Sequence, residues 1–457
     1  MIFVAMATMM LTSCVQEEGL VNESLSSSPK EITFQTVVAK QSSRALINTS
    51  EYGQDAPSFG AWARYNPADD NLNVGYQNYI TNAEVVYFPA TSTSVAYWGL
   101  NDSKPWPDRG SLTFFAYSPF EFQEDTYQAA NYTNNDKYLV DPSNVQAHSP
   151  QVGNHGIVFP NYDVDAHQQT DLMVADVVKG LKANITANTT NNNDPTLNNP
   201  TGYTGVPTKF RHKLAKIDEF IVKTSDDYDG SYSGNDDEAV VGEMRFFIQK
   251  IELLSLKTKA SYYGETYKKD GTLVPDRWVD PTVQQVSKTY VWFDADKAHG
   301  EANSEQQDKW FDSYTVTVNG VEEIHYAVPF GHSETKTLNI KSMTSEQEYD
   351  RNPTIENQYL LVIPQTFNNN QAIRVTYYIR TYKDTQTDEG TDGLSGGTWE
   401  QGTVKTVTRP LSEIHGADAK WPMNAKISYT LLFSTEEIRW APYVGEWTTF
   451  GNNIVDF

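Results

Sequence analysis

Strict alternation of apolar and polar residues, the period of a half-buried strand, recurs along most of this chain. It is clear from Glu31 to Lys40, where Ile32, Phe34, Thr36 and Val38 share one face and Thr33, Gln35, Val37 and Ala39 the other. Further strands are predicted at Phe59–Ala63, Glu84–Phe88, Ser111–Tyr117 and Asp171–Ala175. Between them lie long polar stretches: Gln123–Gly156 and the Asn/Thr/Pro-rich Asn184–Gly205 read as loops. Lys209–Lys223 has apolar residues at helical spacing, yet Ile217, Ile221 and Val222 favour strands, which predicts a helical turn or bend feeding a strand. In Val240–Lys257 the apolar parity switches between Phe246/Ile248 and Ile251/Leu253, the mark of a β-bulge.

The second half repeats the theme. Val283–Phe293, Tyr314–Val318, Glu323–Val328, Thr337–Ile340, Tyr359–Ile363, Ile373–Thr381 and Thr403–Thr408 read as strands, as do Ile427–Phe433, Ile438–Trp440 and Tyr443–Phe450. Asn319-Gly320 is a strong hairpin signal between two of them. Short strands at this spacing, without recurring helices, predict an all-β antiparallel sandwich.

At 457 residues a single core is too small an answer, because cores stop growing near about 250–300 residues. Two domains are expected, 45–269 and 270–457, meeting where Lys268-Lys269-Asp270-Gly271 interrupts strand-like sequence. The 12% aromatic content suits packed sheets. A net charge of −24 makes nucleic acid and anionic membrane surfaces poor partners.

No constellation for catalysis stands out. Gly393-Leu394-Ser395-Gly396-Gly397 matches G-x-S-x-G, but it sits in a loop with no strand leading in, as a nucleophile elbow requires. The eight histidines form no metal-binding pair on a plausible helix, and the acidic run Asp226–Glu238 fails calcium-loop spacing. Trp98 and Trp106 beside Pro105 and Pro107 are a possible sugar platform, although aromatics beside turns usually pack on a sheet. Neither metal nor cofactor is called for, and a non-enzymatic role is expected.

The amino-terminal stretch is more informative. Met1–Leu11 is too short to span a bilayer and resembles the apolar region of a signal peptide. Leu11-Thr12-Ser13-Cys14 fits the lipobox of bacterial lipoproteins, and Cys14 is the only cysteine. Residues 1–14 therefore read as a lipoprotein signal ending in a lipidated Cys14, and Val15–Lys30 as a flexible tether. With one cysteine there is no internal disulfide.

Several segments, in order, resemble the fimbrillin family of Bacteroidales lipoprotein pilins. They are the lipobox, the Ile32-x-Phe34 strand with Arg44-Ala45 beyond it, and Trp98…Trp106-Pro107 before Leu112–Pro119. Asp171–Ala175, Phe210–Ile217, Leu361–Gln365, Asn424–Tyr429, and Ile438 with Val444…Trp447 continue the series to the end. The resemblance implies two transthyretin-like antiparallel β-sandwich domains in tandem. It further implies export to the outer membrane as a lipoprotein, cleavage by an Arg-specific or trypsin-like protease, and loss of the first strand. A neighbouring subunit's strand would then fill the vacated groove. On this chain, residues 15–44 become tether and removable strand, Ile32, Phe34, Thr36 and Val38 the displaced face, and Arg44-Ala45 the cleavage point. Residues 447–457 become the donor, with Trp447, Thr449, Ile454 and Phe457 as candidate contacts. The implied partners are other pilin subunits, membrane lipid through Cys14, and a host protein or glycan. The rival reading is a glycan-binding surface lipoprotein, which shares the anchor but does not polymerise. The anchor is checked by fractionating cells that express Cys14→Ala: the protein is expected to leave the membrane fraction, and retention at the wild-type level refutes lipidation.

Overall fold

A computed structural model describes residues 31–38, 57–67, 77–92, 96–120, 139–140, 156–165, 170–182, 205–224, 244–267, 273–280, 287–302, 304, 311–330, 337–340, 359–384, 397–399, 402–434 and 438–446. Nearly all of the regular structure is strand. The first ten strands are β1 (Thr33–Val38), β2 (Phe59–Asn66), β3 (Gln77–Phe88), β4 (Tyr97–Leu100), β5 (Ser111–Ser118), β6 (Leu139–Val140), β7 (Gly156–Asp163), β8 (Met173–Ala175), β9 (Val178–Leu181) and β10 (Val206–His212). Then come β11 (Ala215–Thr224), β12 (Met244–Lys257), β13 (Lys259–Tyr263), β14 (Thr266–Tyr267), β15 (Leu273–Val274), β16 (Arg277–Val279), β17 (Ser287–Asp294) and helix α1 (Ala295–Glu301). The chain continues through β18 (Asp312–Val318), β19 (Val321–Phe330), β20 (Thr337–Ile340), β21 (Leu360–Val362), β22 (Gln365–Thr366), β23 (Ala372–Asp384), β24 (Gly397–Trp399) and β25 (Thr403–Pro410). It ends with helix α2 (Leu411–His415), β26 (Lys420–Trp421), β27 (Ala425–Phe433) and β28 (Ile438–Glu446).

The first sheet runs β2-β3-β4-β1-β10-β8-β5-β9, and β2 also pairs with β5. The hydrogen-bond ladder therefore closes into a ring around Phe34, Phe59, Phe114 and Phe210. All eight residues of β5 are buried. That follows from its near-continuous apolar sequence: Leu112, Phe114 and Ala116 face the ring interior, while Phe115 and Tyr117 face a second cluster outside it. The outer cluster is roofed by the small sheet β16-β13-β7-β6.

The second main core lies between the β20-β11-β27-β28 sheet and the sheet built on β12, β19, β23 and β25. Strand β12 keeps apolar residues inward along its length only by shifting register, between Ile248 and Lys250 opposite β23 and again between Leu253 and Leu256 opposite β17. The parity switch read from the sequence is this bulged strand. Asn319 and Gly320, both at positive φ, turn the β18–β19 hairpin as expected.

Three expectations need correction. Pairing is not purely antiparallel: β1 runs parallel to β10, and β11 parallel to β27. Both are pairs far apart in sequence, joined by connections long enough to bring the chain back in the same direction. Lys209–Lys223 forms no helical turn; it is β10 and β11 interrupted at Lys213-Leu214, with period-two burial on either side. The 269/270 boundary also moves. The cores part at Lys213-Leu214, because β11 and β12 pack with strands beyond residue 270, whereas β13 turns back to pair with β7. The expected cut falls between β14 and β15, which pair with each other.

In the second core Trp421 Nε1 donates to Tyr429 Oη at 3.0 Å, so the Tyr429 hydroxyl proton is free to point at His415 Nε2, 2.8 Å away. Burial lowers the His415 pKa from 6.5 to about 4. Between these values the unfolded chain binds the extra proton, so stability present above about pH 6.5 is lost as pH falls toward 4. Melting followed across this window should fall less steeply in His415→Gln than in the native protein; equal slopes would remove His415 as the cause.

Candidate strand-acceptor groove

Strand β1 is the first described element, yet it lies inside the ring rather than on an edge. One side pairs in parallel with β10, Phe34 to Val38 opposite Val206 to Phe210. The other pairs antiparallel with β4, Thr33 and Phe34 opposite Gly99 and Trp98. Just before it, Ile32 N donates to Lys104 O at 2.8 Å and Glu31 bridges to Pro105. Tyr79 fixes this turn by donating its hydroxyl to Pro105 O at 2.6 Å, and its pKa is pushed up by burial and then by Asp108.

The alternation read from the sequence is the burial pattern found. Ile32, Phe34 and Thr36 are 2%, 4% and 0% exposed, while Thr33 and Gln35 are half-buried. Val38 keeps the register opposite Phe210. The Phe34 ring meets Phe59 edge-on at 5.6 Å and Phe114 at 5.9 Å, two perpendicular aromatic walls. Phe59 in turn contacts Trp98 and Phe210, and Trp106 contacts Phe114. Trp98 and Trp106 are therefore wall residues, 2% and 7% exposed, and offer no sugar platform. Burying Ile32 and Phe34 contributes on the order of 3–6 kcal/mol by apolar area, an upper figure.

Glycines that the sequence reading passed over set how closely the walls approach. A Cβ on Gly205 would lie 2.7 Å from the Thr33 carbonyl oxygen and 2.8 Å from its carbon. These are backbone atoms with no freedom to withdraw, so only glycine lets β10 begin flush against β1. The signal was a glycine directly before Val206-Pro207, hidden at the end of a polar run. Asp171 and His212, 2.6 Å apart through Oδ2 and Nδ1, form a pair that their separation in sequence conceals, although each lies in a segment that carries the family resemblance.

Chemically the groove can do one thing: hold an extended strand by backbone hydrogen bonds on both sides and by pockets for alternate side chains. Among the described residues no group of three His, Cys, Asp or Glu side chains is placed to hold a metal ion. Cys14, Arg44, Ala45, Ser395, Trp447, Thr449, Ile454 and Phe457, and the acidic run 226–238, lie outside the described residues.

No protein-family model matches the chain, and no curated protein does. Among solved structures it is similar to a fimbrial protein from Bacteroides vulgatus, with 16% identity, TM-score 0.45, and 92% of this chain and 99% of that chain covered. Its structural neighbours are described as fimbrial or putative cell adhesion proteins. They include the tip fimbrial protein Mfa3 from Porphyromonas gingivalis, with 12% identity, TM-score 0.28, and 86% and 95% covered. A fimbrial assembly protein from Parabacteroides distasonis matches at 9% identity and TM-score 0.28 over 92% and 99%. Identities and scores this low leave function to be read from the groove itself.

Replacing Phe34 with Ala empties the aromatic pocket and should cost about 3–5 kcal/mol of stability in urea unfolding. Gly205→Ala should destabilise in the same direction. A loss under about 1 kcal/mol for Phe34→Ala would mean that β1 is not a structural stave.

Proposed function

We propose that the chain is a structural subunit, stalk or tip, of a cell-surface fimbria that assembles by strand exchange and contributes to adhesion. The observation that carries this reading is the position of β1. It is an inner strand, paired with β10 along Phe34–Val38 and with β4 at Thr33 and Phe34, while its covalent tie to the rest of the ring is the segment 39–58, which includes Arg44. Cutting after Arg44 leaves β1 held by noncovalent contacts alone. Its departure bares Phe59, Phe114 and the facing backbone groups of β4 and β10. An open ladder of this kind with an apolar floor is unstable in water and favours a strand from another chain. Covalent continuity slows the exchange before cleavage, and the unsatisfied groove drives it afterwards.

In this reading the partner is another pilin subunit, whose residues 447–457 supply the donor through Trp447, Thr449, Ile454 and Phe457. Each core is a transthyretin-like unit, the two arranged in tandem. Cys14 holds the exported precursor to outer-membrane lipid, and a host protein or glycan is the outward partner. The neighbouring structures named as fimbrial agree with this assignment, although the groove supports it independently. The glycan-binding lipoprotein reading is the weaker of the two, because its expected platform at Trp98 and Trp106 is buried.

The test is polymerisation in vitro. Lipid-free protein treated with an Arg-specific protease should give ladders in non-denaturing electrophoresis, and Arg44→Ala should stay monomeric with an unchanged circular dichroism spectrum. Normal ladders from Arg44→Ala with residues 31–40 still attached would refute cleavage-triggered exchange.

A further inference from the structure

At one end of the second core a cavity of about 400 Å³ opens where β12, β17, β23 and β25 meet. Its size falls within the roughly 300–1,000 Å³ of small-molecule sites, but its wall differs from the usual apolar kind. Leu254 and Ala372 are the apolar side chains there; the rest are amides and hydroxyls, and none is ionisable. In a chain of net charge −24, such a patch is distinct from the surface around it.

The wall is organised by its own hydrogen bonds. Gln371 is 4% exposed, and its Oε1 accepts from Asn368 N at 2.9 Å, which fixes the orientation of the amide. Among the described residues its Nε2 has no hydrogen-bond partner, and Gln371 is one of the residues that line the cavity. Asn368 Oδ1 accepts from Asn370 N at 2.8 Å, and Asn369 Oδ1 from Ser412 Oγ at 3.3 Å. The carbonyl half of three amides is thus engaged within the protein, which leaves their N–H donors for something else. Across the cavity Ser255 stands at φ 55 in the β12 bulge, a conformation serine seldom adopts and one that collects at binding sites. Ser287 and Thr408 add hydroxyls that both donate and accept.

We infer that this cavity is a binding site for a neutral carbohydrate. Fixed N–H donors opposite hydroxyls match a ligand whose own hydroxyls accept from the first and exchange hydrogen bonds with the second. An anion or cation gains no opposite charge here, and an apolar ligand finds too little apolar wall. A strand-like peptide needs an open sheet edge, whereas this cavity is bounded by the 368–371 turn on one side and the bulge on the other. No aromatic ring lines it, so a single site binds weakly, in the millimolar range. Repetition along a fibre would raise the effective affinity by multivalency; that gain alone rests on the fimbrial reading.

The site is tested on the full-length monomer by saturation-transfer NMR, independently of polymerisation. The probes are methyl β-glucoside, methyl β-galactoside, methyl α-mannoside, N-acetylglucosamine, lactose and cellobiose, with glucuronate and N-acetyl-diglycine amide as charged and peptide controls. At least one neutral sugar is expected to bind saturably at millimolar concentration. Gln371→Glu keeps the acceptor for Asn368 N and removes the donor, and should weaken that binding at least fivefold with an unchanged melting temperature. Should Gln371→Glu shift the melting temperature, Asn369→Asp is read in its place with the same expected loss. The inference is overturned if no neutral sugar saturates, if glucuronate or the peptide binds as tightly, or if the variant read binds like the native protein.

Discussion

The fold of the first unit depends on one insertion: β1 fills the gap between β4 and β10, and with it the ring of strands closes. A closed ladder has no edge strand, so each of the seven strands in the ring has a partner on both sides. Every other feature of the groove serves that closure. Gly205 brings β10 flush to Thr33, the Tyr79 hydroxyl holds the turn at Pro105 from which Ile32 enters, and Phe59 and Phe114 stand edge-on to receive Phe34. Take the strand away, and two inner strands acquire bare edges above an aromatic floor.

The same β10 that holds β1 runs directly into the joint between the cores. Arg211 forks onto Asp176 at 2.6 and 2.9 Å, His212 meets Asp171, and the buried Lys213 reaches Asp276 at 2.6 Å. Asp276 also accepts from Tyr262, and Trp278 donates to the Lys213 carbonyl at 2.7 Å. Leu214 is fully buried beside Leu361 and Ile363 of the second unit. The Lys213 charge is buried and is tolerated because Asp276 partners it, so removing that carboxylate strands the ammonium. The joint is therefore packed protein rather than a hinge.

Much of this was legible in the sequence where a single periodicity governed. The β1 face, the parity switch in β12 and the Asn319-Gly320 hairpin were all read correctly from residue order alone. Boundaries were harder, since a strand announces its inward face but not its partner. Ala215–Thr224 looks the same whether it pairs within the first half or with Ala425–Phe433, and only the closed structure reveals the second. The segment Lys209–Lys223 misled because its charged residues imitate a helix face, whereas Arg211, Lys213 and Lys216 are there to reach carboxylates. Strand β7 was missed: Gly156–Asp163 follows a long polar run and carries Pro160, a residue that argues against a central strand.

The two cores repeat one arrangement with one difference. In each, the first strand lies between an antiparallel neighbour and a parallel one: β1 between β4 and β10, β11 between β20 or β21 and β27. What separates them is their attachment. Strand β11 follows β10 through two residues that are buried and pinned, and its own start is locked to β27 by Asp218. Burial raises the pKa of that carboxyl, but Lys216 at 2.8 Å and Lys426 at 2.9 Å more than offset this and hold it below the ordinary value. Strand β1 holds no ionisable side chain between Thr33 and Val38, and its largest buried side chain is the apolar Phe34; the chain beyond Val38 runs through residues 39–58 before β2 begins. Apolar pockets accept any strand of matching alternation, whereas a carboxylate between two lysines accepts only its own partners. On the proposed function, a difference in attachment and in contact chemistry, rather than in topology, would confine exchange to the first unit and leave the second as the permanent part of the chain.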